Sequence, residues 1–449
     1  MMEAVPIIDK SQLLHPSFRV AKRPFPITPS LLRVFEQLGG HLLAFYRATN
    51  KLYLDSVKGH APSWVCDYLD MGKPESVVEY GRMNRFRQSL PGIIRPDLIL
   101  TETGLIATEL DSVPGGIGLT QKQNQLYINE PLIGGANGMR DGFARMIRSV
   151  TDVPRPILAI VVSEESSDYR DEMEFLAERL NEIGLITFVI APEEIIFTEE
   201  GLWVNNNAER VRIDILYRFF ELFDLKNIPK SELILYAAKK KQVILTPPPK
   251  AQLEEKLLFA LFHHPMLKSF WLRVLGEETV LFLNNFFPRT WILDPRPLPP
   301  HAVIPDLFVG ETPVSNFLDL GKISQKERHF VIKPSGFSEM AWGSRGVLIG
   351  HDLSEEDFQR GLENGLNCFS TTPHILQKFH HGRRVETAYR DSVTNQSVKM
   401  EGRVRLSPYY FVERENPILG GILATICPLD KKLIHGMTDA VMAPCMIGE

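Results

Sequence analysis

Residues 95–116 read RPDLILTETGLIATELDSVPGG. Two apolar runs flank the polar sequence TETG, a pattern typical of two strands joined by a tight turn. With the turn centred within TETG, antiparallel pairing places Arg95 opposite Asp111 and Asp97 opposite Glu109. Alternate side chains of a strand share one face, so these four charged groups are expected together on one side of the hairpin. The apolar side chains expected on the other, core-facing side are Leu98, Leu100, Ile106 and Leu110.

The same register pairs Ile99 with Ala107 and Thr101 with Leu105. Three carboxylates on one face repel one another, and Arg95 alone does not neutralise them. Magnesium commonly binds through a few carboxylates together with substrate phosphates. The spacing therefore predicts a metal site at Asp97, Glu109 and Asp111, although a solvated polar face with one salt bridge explains the pattern as well. A one-residue slip in register would remove the prediction.

Length and composition indicate an ordinary globular protein. The 449 residues suffice for about three domains, and 44% of them are hydrophobic. The net charge of −5 argues against a general nucleic-acid binder. Four scattered cysteines without a CxxC pair predict reduced thiols rather than a zinc site. The N-terminus does not have the pattern of a signal peptide, and no apolar run is long enough to span a membrane, so a cytoplasmic location is expected.

Residues 329–349, HFVIKPSGFSEMAWGSRGVLI, join two short apolar runs through a glycine-rich segment. Lys333 closes the first run, where its ammonium can reach phosphate oxygens. Backbone N–H groups of a glycine-rich loop can approach phosphates closely because no Cβ obstructs them. The loop residues predicted to do so are Gly336, Gly343, Ser344 and Gly346. A plain β-hairpin is the alternative, since the segment matches no Walker A motif.

Two further segments fit a nucleotide site. In HILQKFHHGRRVETAY (374–389), the backbone of the strand end Gln377–Phe379 can hold adenine between two lobes. In VKMEGRVRLSPYYFV (398–412), Arg403 and Arg405 fall on one face of a strand. A half-exposed sheet strand explains the second segment equally well.

Together these segments resemble the ATP-grasp superfamily, with FVIKPSG…GSRGV similar to its lysine strand and phosphate-covering loop. Residues 95–116 resemble the magnesium-binding end of D-alanine–D-alanine ligases and glutathione synthetases, although Asp111 stands where that family usually has asparagine. The resemblance implies metal ligation by Asp97, Glu109 and Asp111, and contact between Arg95 and an acyl phosphate. It implies nucleotide contacts for Lys333, Gly336, Gly343, Ser344, Gly346, Gln377, Lys378 and Phe379.

The middle of the chain resembles the Rossmann-like domain that precedes the ATP-grasp lobes. Residues 156–190 have the pattern of a strand, an amphipathic helix and a strand. The resemblance implies that Lys256 binds nucleotide and Arg218 binds a substrate carboxylate, although a helix-surface lysine and a structural ion pair are the alternatives. The metal segment comes first in this chain and the lysine segment last, an order that predicts a circular permutation, as in glutathionylspermidine-synthase-like ligases.

The predicted organisation is α/β, with an ATP-grasp fold in permuted order and a Rossmann-like domain. The predicted parts are a helical segment (1–90), a metal-binding part (91–150), a Rossmann-like substrate domain (155–285), a linker (286–328) and a lysine, loop and hinge part (329–449). Within 1–90, Thr28 and Pro29 are predicted to begin a helix over 28–56, with Leu32, Phe35 and Leu38 on one face.

The predicted function is that of an ATP-dependent carboxylate–amine ligase with ATP and Mg²⁺ as cofactors. Its expected partners are ATP and a small carboxylate and amine pair, with neither nucleic acid nor a membrane. A kinase that phosphorylates a hydroxyl group and a nucleotide-binding protein without catalysis remain the two alternatives. The resemblance by itself identifies neither substrate.

Overall fold

A long, mainly antiparallel sheet, built from the first quarter and the last seventh of the chain, carries the candidate site. The structure is a computed structural model, and it describes residues 18–207, 209–341, 343–391, 394, 396–431, 433–436 and 439–448. The fold is mixed α/β, as the sequence predicted.

The α-helices are α1 (Pro29–Val57), α2 (Trp64–Asp70), α3 (Glu75–Arg82), α4 (Ile117–Leu126), α5 (Gly138–Ser149), α6 (Arg170–Glu182), α7 (Ser231–Lys239), α8 (Leu257–His263), α9 (Lys268–Leu275), α10 (Glu277–Phe286) and α11 (Glu355–Asn367). The strands are β1 (Arg19–Val20), β2 (Phe25–Ile27), β3 (Ile93–Leu100), β4 (Leu105–Asp111), β5 (Leu158–Val162), β6 (Thr187–Ile190), β7 (Ile196–Thr198), β8 (Gly201–Asn206), β9 (Glu209–Arg212), β10 (Ile215–Phe219), β11 (Ile244–Thr246), β12 (Thr290–Ile292), β13 (Phe308–Val309), β14 (Thr312–Pro313), β15 (Phe330–Pro334), β16 (Leu348–Ile349), β17 (His374–Lys378), β18 (Arg384–Arg390), β19 (Ser397–Glu413), β20 (Asn416–Pro428) and β21 (Val441–Ile447).

The long sheet has the order β1-β21-β20-β19-β3-β4, with β18 paired to β19 and β2 paired to β21. Helix α1 packs on this sheet and begins as predicted, because the Thr28 hydroxyl accepts the N–H of Leu31 and Pro29 occupies the first turn. Phe35 and Leu38 are buried, as expected, and the Tyr410 hydroxyl of β19 donates to the Phe35 carbonyl at 2.6 Å. The helix therefore fixes the back of the sheet whose other face carries the site.

The hairpin register is confirmed at its charged end and wrong at its turn. Arg95 pairs with Asp111 and Asp97 with Glu109, but Ile99 pairs with Ile106 and Leu100 with Leu105. The turn is one residue longer than predicted, and a bulge at Thr108 compensates for it, since a bulge adds one residue to one strand. Consequently Ala107 joins the buried core, and Ile106, predicted to face the core, lines a cavity instead.

The second sheet is parallel, in the order β11-β10-β5-β6, as expected for a Rossmann-like unit. The predicted strand, helix and strand over 156–190 are confirmed as β5, α6 and β6. Helices α8 to α10, which the sequence assigned to the same domain, instead share the core of α1, through Phe259, Trp271 and Phe286 among others. They pack there because their apolar side chains complete the cover over the long sheet.

The third sheet, β12-β17-β15-β16, holds Lys333 on β15. The predicted linker over 286–328 is wrong, because β12 is a strand of this sheet and the segment supplies much of its core. Leu293, Leu307 and Leu320 are at most 1% exposed. Apart from Pro313 in β14, the prolines of this stretch lie outside the helices and strands, and the apolar residues between them pack into the core.

No helix among the described residues is both long enough and apolar enough to cross a membrane. The four cysteines are free thiols.

Candidate functional site

Asp97 lies at the centre of a buried charge cluster on the face shared by β3, β4 and β19. Its carboxylate contacts Arg95 Nε at 3.1 Å and Arg405 Nη1 at 3.0 Å, and it accepts a hydrogen bond from the Ser407 hydroxyl at 2.8 Å. The side chain is 1% exposed. Because both carboxylate oxygens are occupied by protein donors, Asp97 does not fit the predicted role of metal ligand and is better placed to orient the two arginines.

Glu109 and Asp111 have protein counter-charges as well, but they remain open to the cavity. Lys256 Nζ lies 3.4 Å from Glu109, and Arg95 Nη2 lies 3.0 Å from Asp111. The Glu109 and Asp111 side chains are 35% and 28% exposed. Besides Arg95, the three acids have Arg405 and Lys256 as counter-charges, which come from distant segments that hairpin spacing cannot reveal.

The charges set the protonation of these acids. Burial raises the pKa of Glu109, but Lys256, Lys333 and the nearby arginines outweigh burial and lower it to about 2. Burial, against the attraction of Arg95, raises the pKa of Asp111 above its usual value. An ionised Glu109 beside a partly exposed Asp111 is a donor pair that fits magnesium, which commonly uses one or two carboxylates plus phosphates. Among the described residues, no group of three such ligands is arranged for a metal.

Lys333 is 7% exposed and points from β15 toward the hairpin. Its Nζ donates to the Thr108 carbonyl at 3.1 Å and to Gln377 Oε1 at 2.9 Å. Burial, reinforced by nearby Lys256, lowers the pKa of Lys333 to about 8 against the pull of Glu109 and Asp97. The predicted lysine therefore lies beside the predicted acids, although about 225 positions separate them.

The segment SVPGG follows β4 and closes one wall of the site. The Gly115 carbonyl accepts from Arg95 Nη1 at 3.1 Å and from the Tyr409 hydroxyl at 2.8 Å. A Cβ on Gly115 would lie 2.2 Å from the Tyr169 ring, so only glycine fits here. The arginine that was predicted to face the reacting phosphate is thus held by backbone as well as by acids.

Only some of the predicted residues of the glycine-rich loop after β15 line the site. Gly336, Gly343 and Ser344 line its cavity, and the last two have φ of 61° and 62°. Gly346 lines neither of the two cavities described below, and a Cβ there would lie 2.8 Å from Met340 O. Its predicted nucleotide contact is therefore replaced by a tight turn. Lys256 reaches the loop, since its Nζ donates to the Ala341 carbonyl at 3.2 Å.

Two cavities meet at the charge cluster. The polar cavity, of about 380 Å³, extends toward the parallel sheet. The apolar cavity, of about 260 Å³, extends into the third sheet. Residues that line both are Asp97, Glu109, Lys256, Ala341, Ser344 and Arg405. The shared wall makes the cluster the point where groups bound in the two cavities would meet.

Aliphatic side chains form much of the lining of the apolar cavity. Ile99, Ile106 and Ile349 supply apolar walls, and Lys333 lies at its inner end. The predicted hinge needs a correction, because the backbone N–H of Lys378 donates to Arg289 O and that of Phe379 donates to His329 O, each at 2.8 Å. These two N–H groups therefore already have hydrogen-bond acceptors within the protein.

The chain beyond this strand continues along the same cavity. His380 and His381 both line it, and the ring of Phe379 lies 4.9 Å from that of His381. The buried Nε2 of His380 has no hydrogen-bond partner among the described residues. His380 and His381 thus line the cavity next to the predicted hinge, whereas the Gln377 side chain accepts a hydrogen bond from Lys333.

The polar cavity has an acidic far wall that sequence reasoning missed. Glu221 and Glu254 line it beside Phe220. Burial, together with the charges of Glu254 and Asp111, raises the pKa of Glu221 to about 8. The sequence gives no pattern for this wall, because Glu221 follows β10 and Glu254 precedes α8.

Arg218 does not fit its predicted role. It is fully buried and its donors bond to the carbonyls of Phe220 at 2.9 Å and Pro247 at 3.1 Å, and to the Glu254 carboxylate. With no free donor toward the cavity, Arg218 anchors the loop that carries Glu254. Arg405, by contrast, lines both cavities. Its signal was the alternation Arg403, Arg405, Ser407 and Tyr409 along one strand face.

Comparison with solved structures shows the fold. A glutathione synthetase-like effector from Globodera pallida, solved in its apo form, superposes with a TM-score of 0.56 at 10% identity, covering 96% of this chain and 90% of that chain. A Methylobacillus flagellatus protein, provisionally described as a gamma-glutamylcysteine synthetase, gives a TM-score of 0.42 at 11% identity, covering 84% of each chain. No family model and no curated protein matches the sequence. The fold is thus of the α/β, glutathione synthetase-like type.

Proposed function

We propose that the protein is an ATP-dependent ligase that activates a small carboxylate as an acyl phosphate and joins it to an amine. The observation that carries the proposal is the meeting of Lys333, Lys256, Arg95 and Arg405 with Glu109 and Asp111 where the two cavities join. A cluster of this kind suits a triphosphate from one side and a carboxylate from the other. The glutathione synthetase-like fold supports the same class of reaction.

In this proposal adenine occupies the apolar cavity, against Ile99 and Ile106, with its edge toward His380 and His381. Lys333 holds the phosphates as a point charge. The backbone N–H groups of the loop at Gly336, Gly343 and Ser344 donate hydrogen bonds to them. Lys256 can leave Glu109 and pair with a phosphate oxygen, because its contact at 3.4 Å is already loose.

Glu109 and Asp111 would hold Mg²⁺, which would neutralise charge on the phosphates. Arg95 and Arg405 would stabilise the negative charge that develops on the phosphoryl group and on the intermediate. Asp97 keeps both guanidinium groups aimed at the cavity. The substrate carboxylate attacks the γ-phosphorus, ADP leaves, and the amine then displaces phosphate from the acyl carbon, losing one proton.

We also propose the circularly permuted order. It is supported by the position of β3 and β4, from the first quarter of the chain, beside β19 in one sheet, whereas the parallel sheet lies between them in sequence. A permuted chain that restores the usual order should fold and keep nucleotide affinity, since such changes are tolerated at exposed positions.

A non-catalytic nucleotide-binding protein is the second candidate, and one observation favours it. Asp97, the first acid of the predicted metal set, is closed off by two arginines and Ser407. A site that binds ATP tightly but holds magnesium through fewer carboxylates could have lost turnover.

One experiment separates the candidates. The protein is incubated with ATP, Mg²⁺ and a panel of small acids and peptides, with hydroxylamine in place of the amine. A ligase releases ADP and phosphate and forms a hydroxamate, because an acyl phosphate is electrophilic enough to be captured. AMP and pyrophosphate would contradict the proposal, a stable phosphate ester would indicate a kinase, and nucleotide binding without turnover would favour the second candidate.

A further inference from the structure

Glu255 lies between two residues of the cavity, but its own side chain points away from it. Its neighbours Glu254 and Lys256 line the polar cavity, whereas the Glu255 side chain is 2% exposed. It forms an ion pair with Lys73, whose side chain is also 2% exposed. A buried carboxylate with one cation partner must serve a structural or positional purpose, since burying charge is costly.

The second oxygen of Glu255 holds the start of the glycine-rich loop. It accepts hydrogen bonds from the Ser335 hydroxyl and from the Gly336 N–H, the latter at 3.0 Å. Ser335 in turn accepts from the Leu257 N–H at 3.3 Å. These bonds join the loop to the segment before α8 at the point where β15 ends, two residues beyond Lys333.

The surrounding contacts leave the loop start little freedom. A Cβ on Gly336 would lie 1.8 Å from Glu254 O, so the two backbones touch there. Lys73 Nζ also lies 5.6 Å from the centre of the Phe337 ring. Residues 254–257 therefore contact the start of the loop and also place Lys256 beside Glu109.

Lys73 lies between α2 and α3, and no residue of these two helices lines either cavity. A Cβ on the preceding Gly72 would lie 1.9 Å from Thr371 O, so this turn is pressed against the third sheet's region. Close packing of the backbone at this turn therefore fixes the position of the Lys73 ammonium.

We propose that Glu255, with Lys73 as its counter-charge, is a positioning residue that sets the phosphate-covering loop and Lys256 in their binding geometry. The inference rests on the proposed nucleotide role of that loop, and it assigns a function to a region outside the site. Loss of the Glu255 contacts should loosen the loop start and misplace its backbone donors, while leaving the three sheets folded.

The test uses three variants of the full chain. Ser335→Ala removes the hydroxyl bond without touching the buried pair, Lys73→Met removes the counter-charge, and Lys73→Arg keeps it. Lys51→Met is the matched control, because Lys51 also pairs with an acid, Asp55, but at an exposed site distant from the loop. Hydrogen exchange is measured in the nucleotide-free protein for peptides over the loop and over β5.

We expect exchange at the loop to rise about tenfold in Ser335→Ala and in Lys73→Met, with β5 unchanged and with Lys73→Arg and Lys51→Met close to wild type. Affinity for a non-hydrolysable ATP analogue with Mg²⁺ should fall by about the same factor in the first two variants. Folded Ser335→Ala with wild-type loop exchange would overturn the inference, and this holds even if Lys73→Met fails to fold. If the wild type binds no nucleotide, the proposed function fails, but the exchange result still decides the positioning role.

Discussion

The ammonium of Lys333 donates a hydrogen bond to the backbone carbonyl of Thr108 at 3.1 Å. Thr108 is the bulged residue of β4, and its hydroxyl donates to the Asp97 carbonyl across the hairpin at 3.2 Å. The bulge that compensates for the long turn therefore also receives the lysine of another sheet. Through this contact Lys333 lies in the apolar cavity beside Glu109, which lines both cavities.

Replacement of Lys333 by methionine should weaken the binding of the ATP analogue roughly 10- to 100-fold, because one charged hydrogen-bond donor is lost. The melting temperature should change little, since the methionine stem fills the same space and the two former acceptors keep access to the cavity. Calorimetric affinity and thermal melts are the measurements. Unchanged affinity in a folded variant would place the phosphates elsewhere.

The wild-type affinity should also depend on pH through the same residue. A pKa of about 8 means that free Lys333 loses its charge as the pH rises above 8. Nucleotide affinity should therefore decline between pH 8 and 10, and Lys333→Arg should flatten the decline because arginine stays charged. A decline of equal size in both proteins would assign it to another group.

Substitutions of the three hairpin acids should have two different effects, one on the magnesium requirement and one on stability. Glu109→Gln and Asp111→Asn should raise the Mg²⁺ concentration needed for half-maximal binding of the ATP analogue, with small changes in stability. Asp97→Asn should instead lower the free energy of unfolding by on the order of 3 kcal/mol, since it removes the carboxylate charge that Arg95 and Arg405 share and leaves Arg95 with Asp111 alone as an acidic partner. Magnesium titrations and urea unfolding distinguish the classes. If Asp97→Asn shifted the magnesium requirement alone, the assignment of Asp97 to the arginines would be wrong.

We expect Arg405 to contribute to binding of the ATP analogue. Arg405→Met should weaken analogue binding about tenfold and reduce any turnover further, because a guanidinium over the phosphoryl group is lost. Arg405→Lys should restore only part of the effect, since lysine cannot reproduce the planar contact. Arg145→Met is the control, because the Arg145 side chain on α5 is 48% exposed. Equal loss in Arg405→Met and in the control would contradict a role at the site.

Glu221 should make the protein less stable as the pH rises. Its pKa is raised to about 8 in the folded protein, from 4.5 for an ordinary glutamate. Between these values the folded state holds a proton that the unfolded state has released, so the free energy of unfolding falls as the pH rises through this window.

Glu221→Gln removes this linkage, and the change in the free energy of unfolding between pH 5 and 8 should shrink by on the order of 3 kcal/mol. Thermal melts across this range are the measurement, with Glu278→Gln as an exposed control. A variant with the slope of the wild type would mean that Glu221 keeps an ordinary pKa.

The sequence by itself determined the features that depend only on interactions between neighbouring residues. Alternation along two strands placed Arg95, Asp97, Glu109 and Asp111 on one face, and the cap at Thr28 began α1, because period and capping are local properties. The apolar runs also predicted Lys333 at the end of its strand. Turn length and the bulge at Thr108 were beyond this reasoning, since both depend on how the strand packs on its neighbours.

Tertiary structure decided which charges meet. Arg405 and Lys256 come from segments far from the hairpin, and they supply the counter-charges that spacing assigned to a metal. Burial made Arg218 an anchor for Glu254, and tertiary hydrogen bonds occupy the backbone N–H groups of Lys378 and Phe379. The physical reason is the same in each case: electrostatic and hydrogen-bond partners are set by distance in space, which a sequence fixes only after the whole chain has packed.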